Sequence, residues 1–392
     1  MTHKTPLYDW HQSNGGRLVD FAGWSLPVFY PPGIIQEHLA CRKHGGLFDI
    51  THMGRFLVSG EDALNFLNKT LTANASRLYT GLAQYTLISD ENGQPLDDAY
   101  LFKFKESEYL LVVNGANREK DWEWLNRHKT GQVEMTDITF DLAMVALQGP
   151  LAEEVLQKVV TGNMPAPGRN RLSICSYEGE EVLVSRTGYT GEPLGFELFI
   201  SWNKCVDFWQ AMLDAGSGQG VMAVGLGARD TLRLETCLPL YGHELAADRP
   251  IMSYPQARFG VNLSDAKGDY IGREALSLQK KDLDSGESGH LPRFIYAIQT
   301  TQKGMIREGS PVLVDGQKVG EISSGTMVPA WEFEGDAPSE ESFTRGIGMA
   351  YLDRGLEAGQ EVLITYRKRT ITGRIVTSFV EQAGVYLRAK KI

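Results

Sequence analysis

Beyond about residue 291 the chain stops making helices. Stretches such as "RFIYAIQ", "SPVLVDGQKVGEISS", "IGMAYL" and "QEVLITYRKRTITGRIV" follow one another there as short β-branched and aromatic runs broken by glycine. That pattern predicts a small C-terminal β-barrel or sandwich. The chain before it behaves differently. Helix and strand patterns alternate irregularly, which predicts an α+β protein rather than a doubly wound α/β sheet. At 392 residues the chain exceeds what one ordinary core holds, so two or three domains are expected.

Individual segments follow from periodicity. Residues 34–45 have helical spacing, and "GGLFDITHMGRFLVSG" reads as a glycine break followed by a strand. Residues 60–78 read as one amphipathic helix with Ser59 as its cap. "AQYTLIS" and "DAYLFKF" flank Asn92-Gly93, a strong hairpin signal, and "EYLLVV" adds a third strand. "NREKDWEWLNRH" is expected to be helical, "AMVALQG" a strand, and Pro150 to open the helix after it. Two strands are expected around the glycine-rich turn of "EEVLVSRTGYTGEPLGFELFIS", then helices in "WNKCVDFWQAMLDAG" and "GARDTLRLETCL". From about 245 to 290 the pattern weakens. The acidic "EFEGDAPSEES" at 332–342 is expected to be a flexible surface excursion.

Composition removes whole classes of function. A net charge of −10 argues against nucleic-acid binding, which needs a basic face. No apolar run approaches a membrane span. The start, "MTHKTPLYDWHQSNGG", has neither a signal core nor an Arg-rich amphipathic pattern, so a cytoplasmic protein is expected. Cys41, Cys175, Cys205 and Cys237 are scattered and read as reduced, buried thiols. His38, His44 and His52 lack metal-ligand spacing, and no metal site is expected. "GYTGEPLG" matches neither phosphate-binding glycine pattern and reads as a turn.

What remains is a set of lone polar groups in apolar surroundings. Asp97 and Asp98 stand where a turn meets an apolar strand. Successive strand residues face opposite sides, so one carboxylate is expected in solvent and the other in a cavity; both could also simply decorate a hairpin end. Asn114 ends the strand "YLLVV" and could be a cap. Glu197 sits inside "GFELFIS" and could be an edge-strand charge. Arg229, with Arg233 one turn on, could form helix salt bridges to Asp230 and Glu235. Trp24, Tyr30, Tyr85 and Tyr189 read first as core aromatics. No nucleophile–histidine arrangement accompanies any of these groups.

Several stretches then add up. "DFAGWSLPVFY", "EHLACRKHGGLFDITHMG", "QYTLISDENGQPLDD", "LLVVNGANREKDWEW", "ALQGP", "RTGYTGEPLGFELF", "GLGARDTLRLE" and "YIGREAL" occur in that order. Together they resemble the aminomethyltransferase family, the T-protein of the glycine cleavage system, well over residues 5–280 and more weakly beyond. The resemblance implies a three-domain fold around a central folate channel. Residues 1–53 with 142–280 would form one mixed α/β domain, and residues 54–141 a second, both ferredoxin-like. Residues 281–392 would form the C-terminal barrel or jelly-roll-like β-domain. It implies transfer of a one-carbon unit from aminomethylated, lipoyl-bearing H-protein to tetrahydrofolate, with loss of ammonia. Asp98 falls on the family's catalytic aspartate and would stabilise positive charge as the carbon–nitrogen bond forms. Glu197 falls on the acceptor of the pterin donors. Asn114, Tyr189 and Arg229 fall on folate-contacting positions, and Met53 and Tyr85 on the channel lining.

The segment "HELAADRPIMSYPQARFGVNL" departs from the family pattern: a channel tryptophan is absent, with Phe259 as a candidate replacement. "TSFVEQ" replaces the family's C-terminal ending, and an arginine there is missing. Two alternatives therefore stand beside the leading one: a related tetrahydrofolate-dependent methyltransferase or demethylase with a small methylated donor, and a folate-binding accessory protein without transferase activity. The accessory relatives carry a Cys-containing Gly-Gln-Glu motif that is absent here, and the retained Asp98 also opposes that reading.

Overall fold

The structure, a computed structural model, describes residues 2–334, 337–367 and 369–379. The chain divides into two compact units. The first comprises residues up to Ser89, Leu96–Arg229 and Phe259–Ile271; the second comprises Asp90–Pro95, Asp230–Arg258 and the chain from Gly272 on.

The first unit holds two large sheets. In the 6-stranded sheet the order is Leu172–Tyr177, Glu180–Ser185, Gly195–Ser201, Leu142–Gln148, Gly46–Asp49, Met222–Val224. The helices Ala152–Val159 and Cys205–Ser217 bring Val155, Leu156, Phe208, Trp209 and Met212 into one core with Val145, Leu198 and Ile200 of the strands. In the 5-stranded sheet the order is Leu82–Ser89, Pro95–Lys105, Glu108–Val113, Gly54–Ser59, Glu134–Asp137. There Phe66 and Leu67 of helix Ala63–Thr70 and Leu125 of helix Arg118–His128 join Phe56, Leu101 and Leu111. Each such side chain contributes about 1.5–3 kcal/mol by leaving water. A smaller sheet pairs His3–Lys4 and Leu18–Phe21 with Trp24–Pro27.

In the second unit six strands close into a barrel around Ile298, Val312, Ile322, Leu352 and Ile364. This is the barrel expected after residue 291, and the α+β class holds for the whole chain. No helix among the described residues is long and apolar enough to cross a membrane.

Five local expectations are corrected. The segment around Ile50–Met53 is a turn between two strands, Gly46–Asp49 and Gly54–Ser59, that belong to different sheets. The helix expected over 60–78 runs only Ala63–Thr70. The Thr70 hydroxyl bonds back to the Phe66 carbonyl and Leu71 turns extended to bridge Ile88, so side-chain and strand pairing end the helix. Ser59 is the last residue of its strand and not the cap. In the weakly patterned region, Arg273–Ser285 forms a clear helix. The acidic stretch continues the long barrel hairpin of Gln317–Glu334 and Ala337–Asp353, with Phe333 opposite Pro338 and Glu334 opposite Ala337; residues 335–336 lie outside the described residues, as does the "VEQ" of "TSFVEQ".

Candidate active site

The Pro95–Lys105 strand alternates at its start: Asp97 and Ala99 are buried, while Leu96, Asp98 and Tyr100 are half-buried on the other face. The two carboxylates therefore separate as strand geometry requires, but neither is a bare surface charge. Asp97 is fully buried and accepts three N–H bonds. They come from the Asn114 backbone at 2.8 Å, Asn114 Nδ2 at 2.8 Å and Asn117 Nδ2 at 2.6 Å. Asp98 accepts from the same Asn114 Nδ2 at 2.8 Å and from the Tyr85 hydroxyl at 3.1 Å. One amide thus ties both carboxylates together. Burial, and then the Asp97 charge, push the Asp98 carboxyl up to about 7; the bonds from Asn114 and Tyr85 oppose the rise.

Tyr100 extends this group. Its ring lies 6.1 Å from that of Tyr85, and its hydroxyl donates to Asn170 Oδ1. Its titration is raised by burial and by the Glu197 charge, and lowered by Arg169. Tyr100 thus packs beside the Asp98 group and feels the Glu197 charge.

Glu197 lies on the Gly195–Ser201 strand, which is flanked on both sides, so it is not an edge-strand charge. It is half-buried and accepts from the Thr187 hydroxyl. Burial raises its carboxyl, and Thr187, Arg229 and Arg169 hold it down. The Arg229 guanidinium sits 4.6 Å over the Tyr189 ring. Its Nη1 is buried without a hydrogen-bond partner among the described residues. Burial lowers the Arg229 pKa, countered by Tyr189 and Glu197. The helix salt bridges expected for the two arginines belong to Arg233, which pairs with Asp230 and Glu244. Tyr189 is held by its backbone N–H, which donates to Gln148 Oε1 at 3.0 Å.

Met53 is half-buried at the end of the Ile50–Met53 turn. The turn is clamped by the buried Arg55, whose guanidinium donates to the carbonyls of Met53 at 2.6 Å, Thr51 at 2.9 Å and Thr139. His52, beside Met53, is lowered to about 3 by burial and by the Arg229 charge, so it is neutral near pH 7. A small pocket lined by Phe48, Asp49, Gly225 and Arg229 adjoins this charge. Phe259 is 72% exposed, while its neighbour Gly260 packs so closely on the Tyr85 ring that a Cβ would meet it at 2.9 Å.

Direct hydrogen bonds therefore unite Tyr85, Asp98 and Asn114. Stacking and charge unite Tyr189, Arg229 and Glu197, and Met53 follows His52, which feels the Arg229 charge. Tyr100, Thr187, Arg169 and Asn117 escaped the sequence reading. Of these, only Tyr100 carried a signal, because it lies two residues after Asp98 and shares its face.

The profile described as the GCVT N-terminal domain matches residues 7–253. An aminomethyltransferase of Anoxybacillus flavithermus is 39% identical over 382 residues, covering 96% of this chain and 98% of that protein. One of Lysinibacillus sphaericus is 41% identical over 383 residues, covering 95% and 96%. Among solved structures, the glycine cleavage system aminomethyltransferase T from Bartonella henselae superposes with a TM-score of 0.82 at 28% identity, covering 97% of this chain and 99% of that one. With a domain match over more than half of its length and relatives this similar from end to end, the chain belongs to the aminomethyltransferase family.

Proposed function

We propose that this protein transfers a one-carbon unit from the aminomethyl group on the lipoyl arm of H-protein to tetrahydrofolate, releasing ammonia. The observation that carries the reading is Asp98. It is a half-buried carboxylate poised to about 7 and fixed by Tyr85 and Asn114. Beside a reacting amine, such a group holds or takes the amine's proton and offsets the positive charge that builds on the carbon as ammonia leaves.

The remaining side chains suit a folate. A reduced pterin presents an N–H and an amino group side by side, and Glu197, which accepts from the Thr187 hydroxyl through one oxygen, has acceptor capacity to spare. Arg229 Nη1 is a buried donor without an acceptor among the described residues. Tyr189 and Tyr85 offer aromatic faces, and Met53 an adaptable apolar one. No nucleophile is needed: the contribution is positioning and charge.

The test is an assay of purified protein with tetrahydrofolate and aminomethylated H-protein, beside a panel of small methylated amines and thioethers. The expected result is ammonia and a charged folate from H-protein alone; turnover of a small donor instead would replace the carrier in this reading. Asp98→Asn is expected to lower turnover by about 10²-fold or more while tetrahydrofolate affinity stays within about tenfold of wild type. A variant as active as wild type would remove Asp98 from the chemistry.

A further inference from the structure

Behind Asp98 lies a third carboxyl that the transfer reaction does not touch. Asp121 is fully buried, on the helix Arg118–His128 one turn after Asn117. Among the described residues no N–H or O–H donor reaches either of its oxygens. Asp97 is its opposite: equally buried, but with three N–H donors on its carboxylate. The charged groups facing Asp121 are Asp97 and Asp98 from the strand and Lys120 from its own helix. Lys120 donates to the Leu96 carbonyl and to Asn117 Oδ1.

A buried carboxylate without donors is far more costly than a neutral acid, and a neutral acid must place its O–H on an acceptor. We infer that Asp121 keeps its proton at neutral pH and donates it to Asp97, making it a positioning residue that holds the negative charge beside Asp98. Burial raises both carboxyls; the bond between them holds Asp97 down and Asp121 up, in the sense the donor count requires. The chain then runs from Asp121 to Asp97, through the shared Asn114 amide to Asp98, and on to Tyr85. The pair carries one charge and one proton. After burial, its charge is the second cause that lifts Asp98 out of the ordinary carboxylate range to near neutrality.

The inference rests on Asp98 as the working carboxylate, and two measurements separate its failure from the failure of that reading. The first is the acid limb of kcat/KM against pH. Asp121→Asn retains a neutral donor to Asp97 and is expected to leave the limb in place. Asp121→Leu removes the donor, so Asp97 takes up the proton itself. Its repulsion on Asp98 disappears, and the limb moves to lower pH by about one unit. Equal displacement in both variants would mean that Asp121 is an anion. No displacement in either would mean that it is uncoupled from Asp98. Either result overturns the inference.

The second measurement needs neither activity nor a folded leucine variant. Infrared spectra of the Asp98→Asn protein, with isotope-labelled aspartate, are expected to show a protonated carboxyl at neutral pH. That signal should vanish in the Asp98→Asn, Asp121→Asn double variant. Its persistence there would place the proton elsewhere and end the proposal, whatever Asp98 does in catalysis.

Discussion

At the scale of single residues, the site works through unequal solvation of similar groups. Asp98, Asp97 and Glu197 are all carboxylates raised by burial, yet each has a different donor set. Tyr85 is the donor that Asp98 can lose most simply. If the anion is the working form, rate rises with pH through about 7. Tyr85→Phe removes a bond to that anion, so the Asp98 pKa rises further and the acid limb moves to higher pH, by roughly half a unit to one unit. A pH–rate series on both proteins reads this directly, and a limb that stays put would show that Asp98 does not control it. Glu197→Ala should weaken tetrahydrofolate binding by roughly 1–3 kcal/mol, because two pterin donors lose their acceptor. Titration calorimetry checks the value, and unchanged affinity would place the pterin elsewhere.

At the scale of elements, the decisive contact is between two turns. Asn114 and Gly115 follow the Glu108–Val113 strand, and His52 and Met53 precede the Gly54–Ser59 strand beside it. A Cβ on Gly115 would stand 2.4 Å from the His52 carbonyl oxygen, and one on Gly54 would meet Val113 at 2.6 Å. Glycine lets the two backbones close, and that closure sets where the Asn114 amide can bridge Asp97 and Asp98. Gly115→Ala is expected to destabilise the protein by roughly 1–3 kcal/mol. It should also reduce turnover more than a surface glycine change such as Gly218→Ala, where a Cβ meets open space. Urea unfolding and the H-protein assay measure the two effects separately.

At the scale of the molecule, each unit has its own buried polar anchor as well as its apolar core. In the first, Arg42 pairs with Glu192 at 2.6 Å. In the second, Arg233 pairs with Glu244 at 2.7 Å and donates to the Ser324 hydroxyl, while Ser323 donates to the second Glu244 oxygen. Glu244→Ala leaves the buried Arg233 guanidinium with the more exposed Asp230 as its counter-charge and strands the Ser323 hydroxyl, and should cost about 3 kcal/mol. Denaturant unfolding followed by near-UV circular dichroism tests this. A change below about 1 kcal/mol would show that the pair behaves like an exposed one. With two compact units, the transition need not be a single step.

Much of this protein follows from its sequence without coordinates. Period-two and helical patterns located most elements, because hydrophobic spacing is a local property. The loss of helical spacing after residue 291 announced the barrel. The order of motifs pointed to the family and to seven site positions. Tertiary structure decided what depends on neighbours far along the chain. The helix after Asp62 stops at Thr70 because Leu71 finds Ile88. Glu197 is no edge charge because strands 142–148 and 180–185 flank it. Asp98 titrates near neutrality because burial, and then the Asp97 charge, outweigh the bonds it accepts from Asn114 and Tyr85. Desolvation and hydrogen bonding are set by the atoms that close around a group, and no spacing along one strand encodes which atoms those are.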